Sequence, residues 1–364
     1  MNTKVGLLTL PLSDNYGGII QCVALYQFLS QNNVDVHFIR KLNNRTFSKE
    51  IVASILELMP GQNIRGIRSR YLAAKVHLPF LKKYMPQQTR PVRTGSEIEA
   101  EIKRLNIDTV VVGSDQVWRF EYQGDSTAYN YFLDFGPQNI RRVSYAASFG
   151  HGVWRYPERT EAVTELLGNF DAVSVREISG REICRNVFKR QQCEVVLDPT
   201  LLVDRSFYES VIDKPPALSA GRVLTYVLDH ADAVQSLAKQ VVRKLGSNRA
   251  VESLSPYDTA RTVGLPEWLQ AFRDTEYVIT DSFHGVVFSI IFQKHFVVVP
   301  NVERGIDRFT SLLGQLGLQD RILTAEDGAD VERVMAAAID YPRVNAILSE
   351  LRAQSSEYLL SRTR

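Results

Sequence analysis

Tyr277-Val278-Ile279-Thr280-Asp281-Ser282-Phe283-His284-Gly285-Val286-Val287 holds a short strand, a polar turn and the opening of a helix in eleven consecutive residues. Residues 277–280 are rich in β-branched side chains and fit a buried strand. Asp281 and Ser282 then break the apolar run, and His284 falls in the first turn of the helix that follows. A strand that passes directly into a helix is half of a strand-helix-strand unit, so the chain is read as α/β with parallel strands.

The same alternation continues on both sides. Toward the N-terminus, strands are expected at residues 5–10, 36–39, 109–112, 143–147, 172–175 and 194–197, with helical stretches between most of them. Nearer the quoted segment, strands are expected at 223–228 and 250–253, with a helix at 231–245, and a strand follows it at 296–299. Residues 213–221 contain Pro215-Pro216 and several small side chains, which suit a linker. The expected division is therefore a domain over 1–214, a smaller one over 215–343, and a terminal helix over 344–364. That helix, with Ile347, Leu351 and Tyr358 at helical spacing, is expected to cross back onto the first domain.

Bulk properties exclude several classes. A length of 364 residues exceeds what one core usually fills, which agrees with two domains. Hydrophobic residues make up 45% and charged residues 23%, as in an ordinary globular chain. A net charge of +2 argues against nucleic acid as a partner. The three cysteines, Cys22, Cys184 and Cys193, have no zinc-type spacing and do not form an even set, so no metal site or disulfide framework is expected. No secretory signal or membrane-spanning run is read, and the expected location is the cytoplasm. Residues 41–95 form a basic insertion, expected to be helical, with Lys41, Arg45, Lys49, Arg65, Lys82 and Lys83 among its cations. It reads equally as a solvated helical face or as a peripheral contact with an anionic membrane or a diphosphate-linked lipid.

Three segments follow the carboxyl ends of expected strands, where open α/β sheets bind their ligands. In Ser13-Asp14-Asn15-Tyr16-Gly17-Gly18, adjacent glycines before a helix let backbone N–H groups approach an anion, or simply make a tight turn. In Gly113-Ser114-Asp115-Gln116-Val117-Trp118, Ser114, Asp115 and Gln116 offer hydrogen bonds to sugar hydroxyls and Trp118 offers a ring face. The same residues also suit a turn with a buried tryptophan. The third is the histidine segment: a lone histidine is more often a satisfied structural group, but His284 follows a strand end beside Asp281 and Ser282, where it can give a proton near neutral pH. Cations that could hold an anionic donor are Arg176, which ends an apolar strand, and Lys294, Arg304 and Arg308; each equally suits a surface charge, the favoured reading for Lys294.

Taken together, Asp14 to Gly18, Val112 to Trp118, Val143-Ser144-Tyr145-Ala146-Ala147-Ser148-Phe149-Gly150, Ser174 to Glu177 and Thr280 to Gly285 resemble the polysaccharide pyruvyltransferase family. The resemblance implies a glycosyltransferase-B-like fold, two Rossmann-like domains with a cleft between them, acting on phosphoenolpyruvate as donor substrate with no further cofactor. It implies an enzyme of bacterial exopolysaccharide or capsule biosynthesis. The pyruvyl group would pass to a surface polysaccharide or its lipid-linked precursor, forming a cyclic ketal and releasing phosphate. By similarity His284 is the general acid, with Asp115 or Asp281 as candidate base. Arg176, Arg308, Arg304, Ser282 and Gly285 are expected on the donor, bound by the second domain, and Asn15, Tyr16, Gly17, Gly18, Ser114, Gln116 and Trp118 on the acceptor, bound by the first. The family often has a lysine where this chain offers Val302 to Arg308. Alternatives are a sugar-nucleotide-dependent glycosyltransferase on the same fold, or a non-catalytic glycan-assembly protein.

Overall fold

The all-apolar strand interior of Val110, Val111 and Val112 is buried, as expected of a strand covered on both faces by helices. The computed structural model describes residues 3–12, 15–42, 67–122, 127–216, 221–228, 232–245, 250–254, 263–300, 305–323, 334 and 336–364. They divide into two compact units, one of residues 1–202 with 352–364 and one of residues 203–351.

In chain order the first unit contains β1 (Lys4–Leu8), α1 (Tyr16–Gln31), β2 (Asp35–Phe38), α2 (Ile67–Tyr84), α3 (Gly95–Leu105), β3 (Thr109–Val112), β4 (Arg141–Ser144), α4 (Thr160–Gly168), β5 (Ser174–Val175), α5 (Ile178–Asn186) and β6 (Glu194–Val195). Four strands form a parallel sheet in the order β2-β1-β3-β4. Bridges from Val143 to Ala172 and from Ala147 to Val175 carry the pairing on to β5, which itself pairs with β6. The helix α3 shows how sequence sets an end: Thr94 and Glu97 form a reciprocal capping box, and Asn106 closes the helix in left-handed conformation.

The second unit contains α6 (Arg205–Ile212), β7 (Val223–Tyr226), α7 (Asp232–Leu245), β8 (Val251–Ser253), α8 (Leu265–Arg273), β9 (Tyr277–Thr280), α9 (Phe283–Ile291), β10 (His295–Val298), α10 (Asp307–Leu316) and the start of α11 (Tyr341–Thr363). Its parallel sheet has the order β10-β9-β7-β8. Trp268, Phe272 and Phe288 pack together with Tyr208 and Tyr226 on one side of it.

The units divide at residue 203, earlier than the proline-rich stretch that was expected to mark the boundary. The reason is α6: Tyr208 is fully buried and meets the Phe288 ring edge-on at 5.0 Å, so this helix belongs to the second core. Pro215 and Pro216 therefore lie within the second unit. At the other end, the last residues of α11 belong to the first unit, where Tyr358 Oη donates to the Ser144 carbonyl at 3.1 Å and Ser355 Oγ accepts from the Leu197 N–H at 3.0 Å.

Within the basic insertion, residues 43–66, including Arg45, Lys49 and Arg65, lie outside the described residues. Lys82 and Lys83 are exposed on α2 beside buried Phe80 and Leu81. Lys41 departs from the expected solvated run: it is buried and its ammonium donates to Asn130 Oδ1 at 2.8 Å and the Arg93 carbonyl at 2.9 Å. Burial pushes its pKa down to about 8, against the opposing pull of Asp134 and Glu97. Among the described residues no helix is long and apolar enough to cross a membrane.

Candidate functional site

In the second unit the polar residues gather at the carboxyl ends of β7, β9 and β10. Ser282 caps α9, its Oγ accepting the Gly285 N–H at 3.4 Å, while its own N–H donates to Thr280 Oγ1 at 3.0 Å. Thr280 Oγ1 in turn donates to the Tyr226 carbonyl on β7 at 2.6 Å. A Cβ at position 285 would stand 2.2 Å from Thr280 Oγ1, so only glycine lets the helix sit this close to its strand. Asp281 is buried and its Oδ1 accepts the Leu228 N–H at 2.7 Å, tying the exit of β7 to that of β9.

His284 occupies the second position of α9, 7% exposed, with its ring edge-on to Phe283 at 5.4 Å. Arg308 lies in the first turn of α10, the helix after β10, with its guanidinium over the Phe309 ring at 4.9 Å. His284 and Arg308 thus each lie in the first turn of the helix that follows one of two neighbouring strands, β9 and β10. Arg304 lies outside the described residues. Lys294, half-buried, has its pKa pushed down to about 8, first by burial and then by Arg205.

The first unit presents its own cluster. Asn15 caps α1 by accepting the Gly18 N–H at 3.2 Å, and Tyr16 and Gly17 are buried behind it, with Tyr16 edge-on to His77 at 5.3 Å. Asp115 holds a left-handed backbone, φ 79°, unusual for a residue with a side chain, and its Oδ2 bounds the space in front of Gly18. Ser13 and Asp14 lie outside the described residues.

Three expected ligand-binding side chains turn inward. Trp118 is fully buried, donates from Nε1 to the Tyr131 carbonyl at 2.9 Å and stacks on Phe132 at 5.4 Å, so its ring is core and no face is left for a sugar. Ser114 is also fully buried, and its Oγ donates to Asp198 Oδ2 at 3.1 Å. Gln116 is buried too, its Oε1 accepting from Arg119 at 2.8 Å.

Arg176 emerges as the centre of a charge network. Its Nε donates to Glu177 Oε1 at 2.9 Å and its Nη1 to Asp198 Oδ2 at 3.1 Å. Burial alone would lower its pKa; Glu177, Asp198 and Asp115 outweigh that and raise it, holding the charge firmly. Asp198, which sequence reasoning passed over, also accepts from Thr200 N–H at 3.0 Å and Thr200 Oγ1 at 2.6 Å. Its signal was available in Asp198-Pro199-Thr200, a polar exit from an apolar strand like the others. Among the described residues no group of three or more His, Cys, Asp or Glu side chains could hold a metal ion.

Comparison with known proteins places this geometry. The chain is similar to a UDP-N-acetylglucosamine 2-epimerase from Rickettsia bellii, with TM-score 0.52 at 9% identity over 100% of this chain and 97% of the other. It is similar to the Neisseria meningitidis UDP-GlcNAc 2-epimerase bound to UDP-GlcNAc, with TM-score 0.50 at 10% identity over 99% of each chain. A third similar structure is an alpha-glucosyltransferase in complex with UDP and a 13-mer DNA, with TM-score 0.50 at 11% identity over 99% of this chain and 95% of that one. At these identities the likeness is one of fold: a glycosyltransferase-B-like α/β architecture of two Rossmann-like domains. No curated protein matches the chain. The family model for polysaccharide pyruvyl transferase matches residues 15–302, a span that takes in Asn15 to Gly18, Asp115, Arg176 and His284. The chain belongs to the polysaccharide pyruvyl transferase family.

Proposed function

We propose that this pyruvyltransferase moves the enolpyruvyl group of phosphoenolpyruvate onto a sugar of a bacterial surface polysaccharide or its lipid-linked precursor. The observation that carries the reading is His284, set at a strand exit by the Ser282 cap and by the close fit of Gly285 on Thr280, within the span matched to the family.

In this reading His284 protonates the methylene carbon of the donor, and positive character grows on the adjacent carbon. A sugar hydroxyl adds there and loses its proton. The carbon–oxygen bond to phosphate then breaks, phosphate leaves with the bonding pair, and a second hydroxyl of the same sugar closes the cyclic ketal and gives up its proton. Asp115 is the better candidate to take a hydroxyl proton, because Asp281 is buried and engaged with the Leu228 N–H. Arg308 is the cation suited to the donor's phosphate or carboxylate. Arg176, already held by Glu177 and Asp198, serves better to fix the exits of β5 and β6. Orientation of the donor and electrostatic stabilisation of the cationic state are the main sources of rate.

The test is incubation of the full chain with phosphoenolpyruvate and pyranoside acceptors, following phosphate release and a product heavier than the acceptor by one pyruvic acid less one water. The His284→Ala variant is expected to release phosphate at least about 100-fold more slowly, the lower range for loss of a general acid. Unaltered turnover in that variant would remove His284 from the chemistry, and consumption of a nucleotide sugar in place of phosphoenolpyruvate would overturn the donor assignment.

A further inference from the structure

With Trp118 buried, the first unit shows a different aromatic surface. Four residues further on, Tyr122 is 56% exposed at the end of the segment leaving β3. The Arg119 guanidinium lies over its ring, 4.5 Å from the centroid, and Arg119 Nη1 donates to Tyr122 Oη at 3.2 Å. The ring is thereby held in place from one side while most of it meets solvent.

Glu121 stands beside it. One carboxylate oxygen meets His151 Nε2 at 3.2 Å; the other accepts from Tyr156 Oη and lies 3.4 Å from Arg119 Nε. His151 and Tyr156 come from the segment leaving β4, so this carboxylate joins the exits of two neighbouring strands. Its side chain remains 39% exposed. His151, Tyr156, Arg119 and its own backbone N–H surround the carboxylate, so a sugar hydroxyl would meet it on the exposed side, sharing an oxygen with these partners. His151 Nδ1 is buried without a hydrogen-bond partner among the described residues, which natural proteins seldom leave uncompensated.

We propose that this surface is a subsite for the acceptor glycan: the Tyr122 ring stacks on the face of a pyranose, and Glu121 with Arg119 hydrogen-bonds its hydroxyls. An aromatic ring beside a carboxylate and a guanidinium matches a sugar, which presents an apolar C–H face and a polar rim. The position after β3 and β4 also matches where parallel sheets bind ligands. The subsite rests on the transfer reading above for its role, but its binding can be measured alone.

The experiment is saturation-transfer NMR on the full chain, with methyl pyranosides of galactose, glucose and mannose as probes. Wild-type protein is expected to transfer saturation to the ring protons of at least one probe. Glu121→Gln should weaken that probe by about tenfold or more, the scale of a lost hydrogen bond to a charged group, and Tyr122→Ala by about threefold to tenfold, the scale of a lost aromatic contact. Tyr122→Phe, which keeps the ring, and Val251→Ser, on the other unit, should bind as wild type. Absence of binding to every probe, or wild-type affinity in Tyr122→Ala, overturns the subsite. Binding through Tyr122 with no phosphate release from phosphoenolpyruvate would keep the subsite and discard the transfer reading. Phosphate release with an acceptor KM unchanged in Tyr122→Ala would do the reverse.

Discussion

Gly285→Ala should damage this enzyme more than its size suggests. The added Cβ would meet Thr280 Oγ1 at 2.2 Å and Thr280 Cβ at 2.9 Å, both well inside van der Waals contact. Thr280 cannot simply rotate away, because Oγ1 is engaged with the Tyr226 carbonyl at 2.6 Å and the Ser282 N–H at 3.0 Å. The first turn of α9 must lift off β9 instead. Overpacking costs about 1–3 kcal/mol, a contact of 2.2 Å puts this case in the upper part at about 2–3, and alanine's better helix propensity returns about 1. The net loss is about 1–2 kcal/mol, a fall of about 2–8 °C in melting temperature for a unit of this size. Activity should fall further, by about 100-fold, because a displacement near 1 Å at the adjacent His284 spoils proton transfer. Calorimetry and phosphate release measure the two effects separately. Thr280→Ala in the same chain removes the 2.2 Å contact. The cost of Gly285→Ala should shrink there by at least about 0.5 kcal/mol. A Gly285→Ala enzyme with wild-type melting and turnover, or strict additivity in the double variant, would refute this account of the strand exit.

Trp118→Ala should lower stability by about 3–5 kcal/mol in urea unfolding, as for other large buried aromatics, whereas Trp118→Phe should cost far less and leave acceptor KM unchanged. Arg176→Met should destabilise by about 3–5 kcal/mol by taking the guanidinium from the buried carboxylates of Glu177 and Asp198, and adding Asp198→Asn should recover part of that loss. Lys41 gives a pH signature: its pKa is pushed down to about 8 in the folded chain. Against an unfolded value near 10.4, the folded state sheds the proton first. Stability from this group should therefore rise as pH climbs from about 8 toward 10, and Lys41→Met should abolish that increment in unfolding measured across the window. Gly18→Ala, whose Cβ would have as nearest neighbours the side-chain atoms Asn15 Nδ2 at 3.2 Å, Asp115 Oδ2 at 3.3 Å and Asn15 Cγ at 3.4 Å, which can give by a few tenths of an ångström, should leave the melting temperature near wild type.

Local pattern was enough for the strands. Thr109–Val112 and Tyr277–Thr280 fall where their β-branched runs lie, and α9 starts one residue before His284 because Ser282 is a capping side chain. Side-chain direction was less legible. An aromatic or cation just after a buried strand has one sequence signature whether it faces ligand or core. The decision rests on partners far along the chain. For Trp118 these are the Tyr131 carbonyl and the Phe149 and Phe170 rings; for Arg176, Asp198; for Lys41, Asn130. Tyr122 escaped notice for the converse reason, since nothing within its own segment says that its ring stays exposed while Phe120 is buried.

The two units repeat one device with different contents. At the exit of β1, Asn15 caps a helix whose first three residues are Tyr16, Gly17 and Gly18; at the exit of β9, Ser282 caps one that begins Phe283, His284, Gly285. In both, the cap oxygen accepts the N–H of the third helical residue, and in both that residue is glycine. The frame brings a buried aromatic to the first position and the strand-exit edge to the second. In the first unit the second position is glycine, buried like Gly18 after it, whose own N–H is taken by the Asn15 cap and whose Cα faces the Asp115 carboxylate. In the second unit the same position carries imidazole, and Thr280 beneath Gly285 fixes the frame with hydrogen bonds to β7 and to the cap. The tighter glycine lies on the side that carries the histidine, and a proton donor, the role proposed for His284, must be held to a fraction of an ångström.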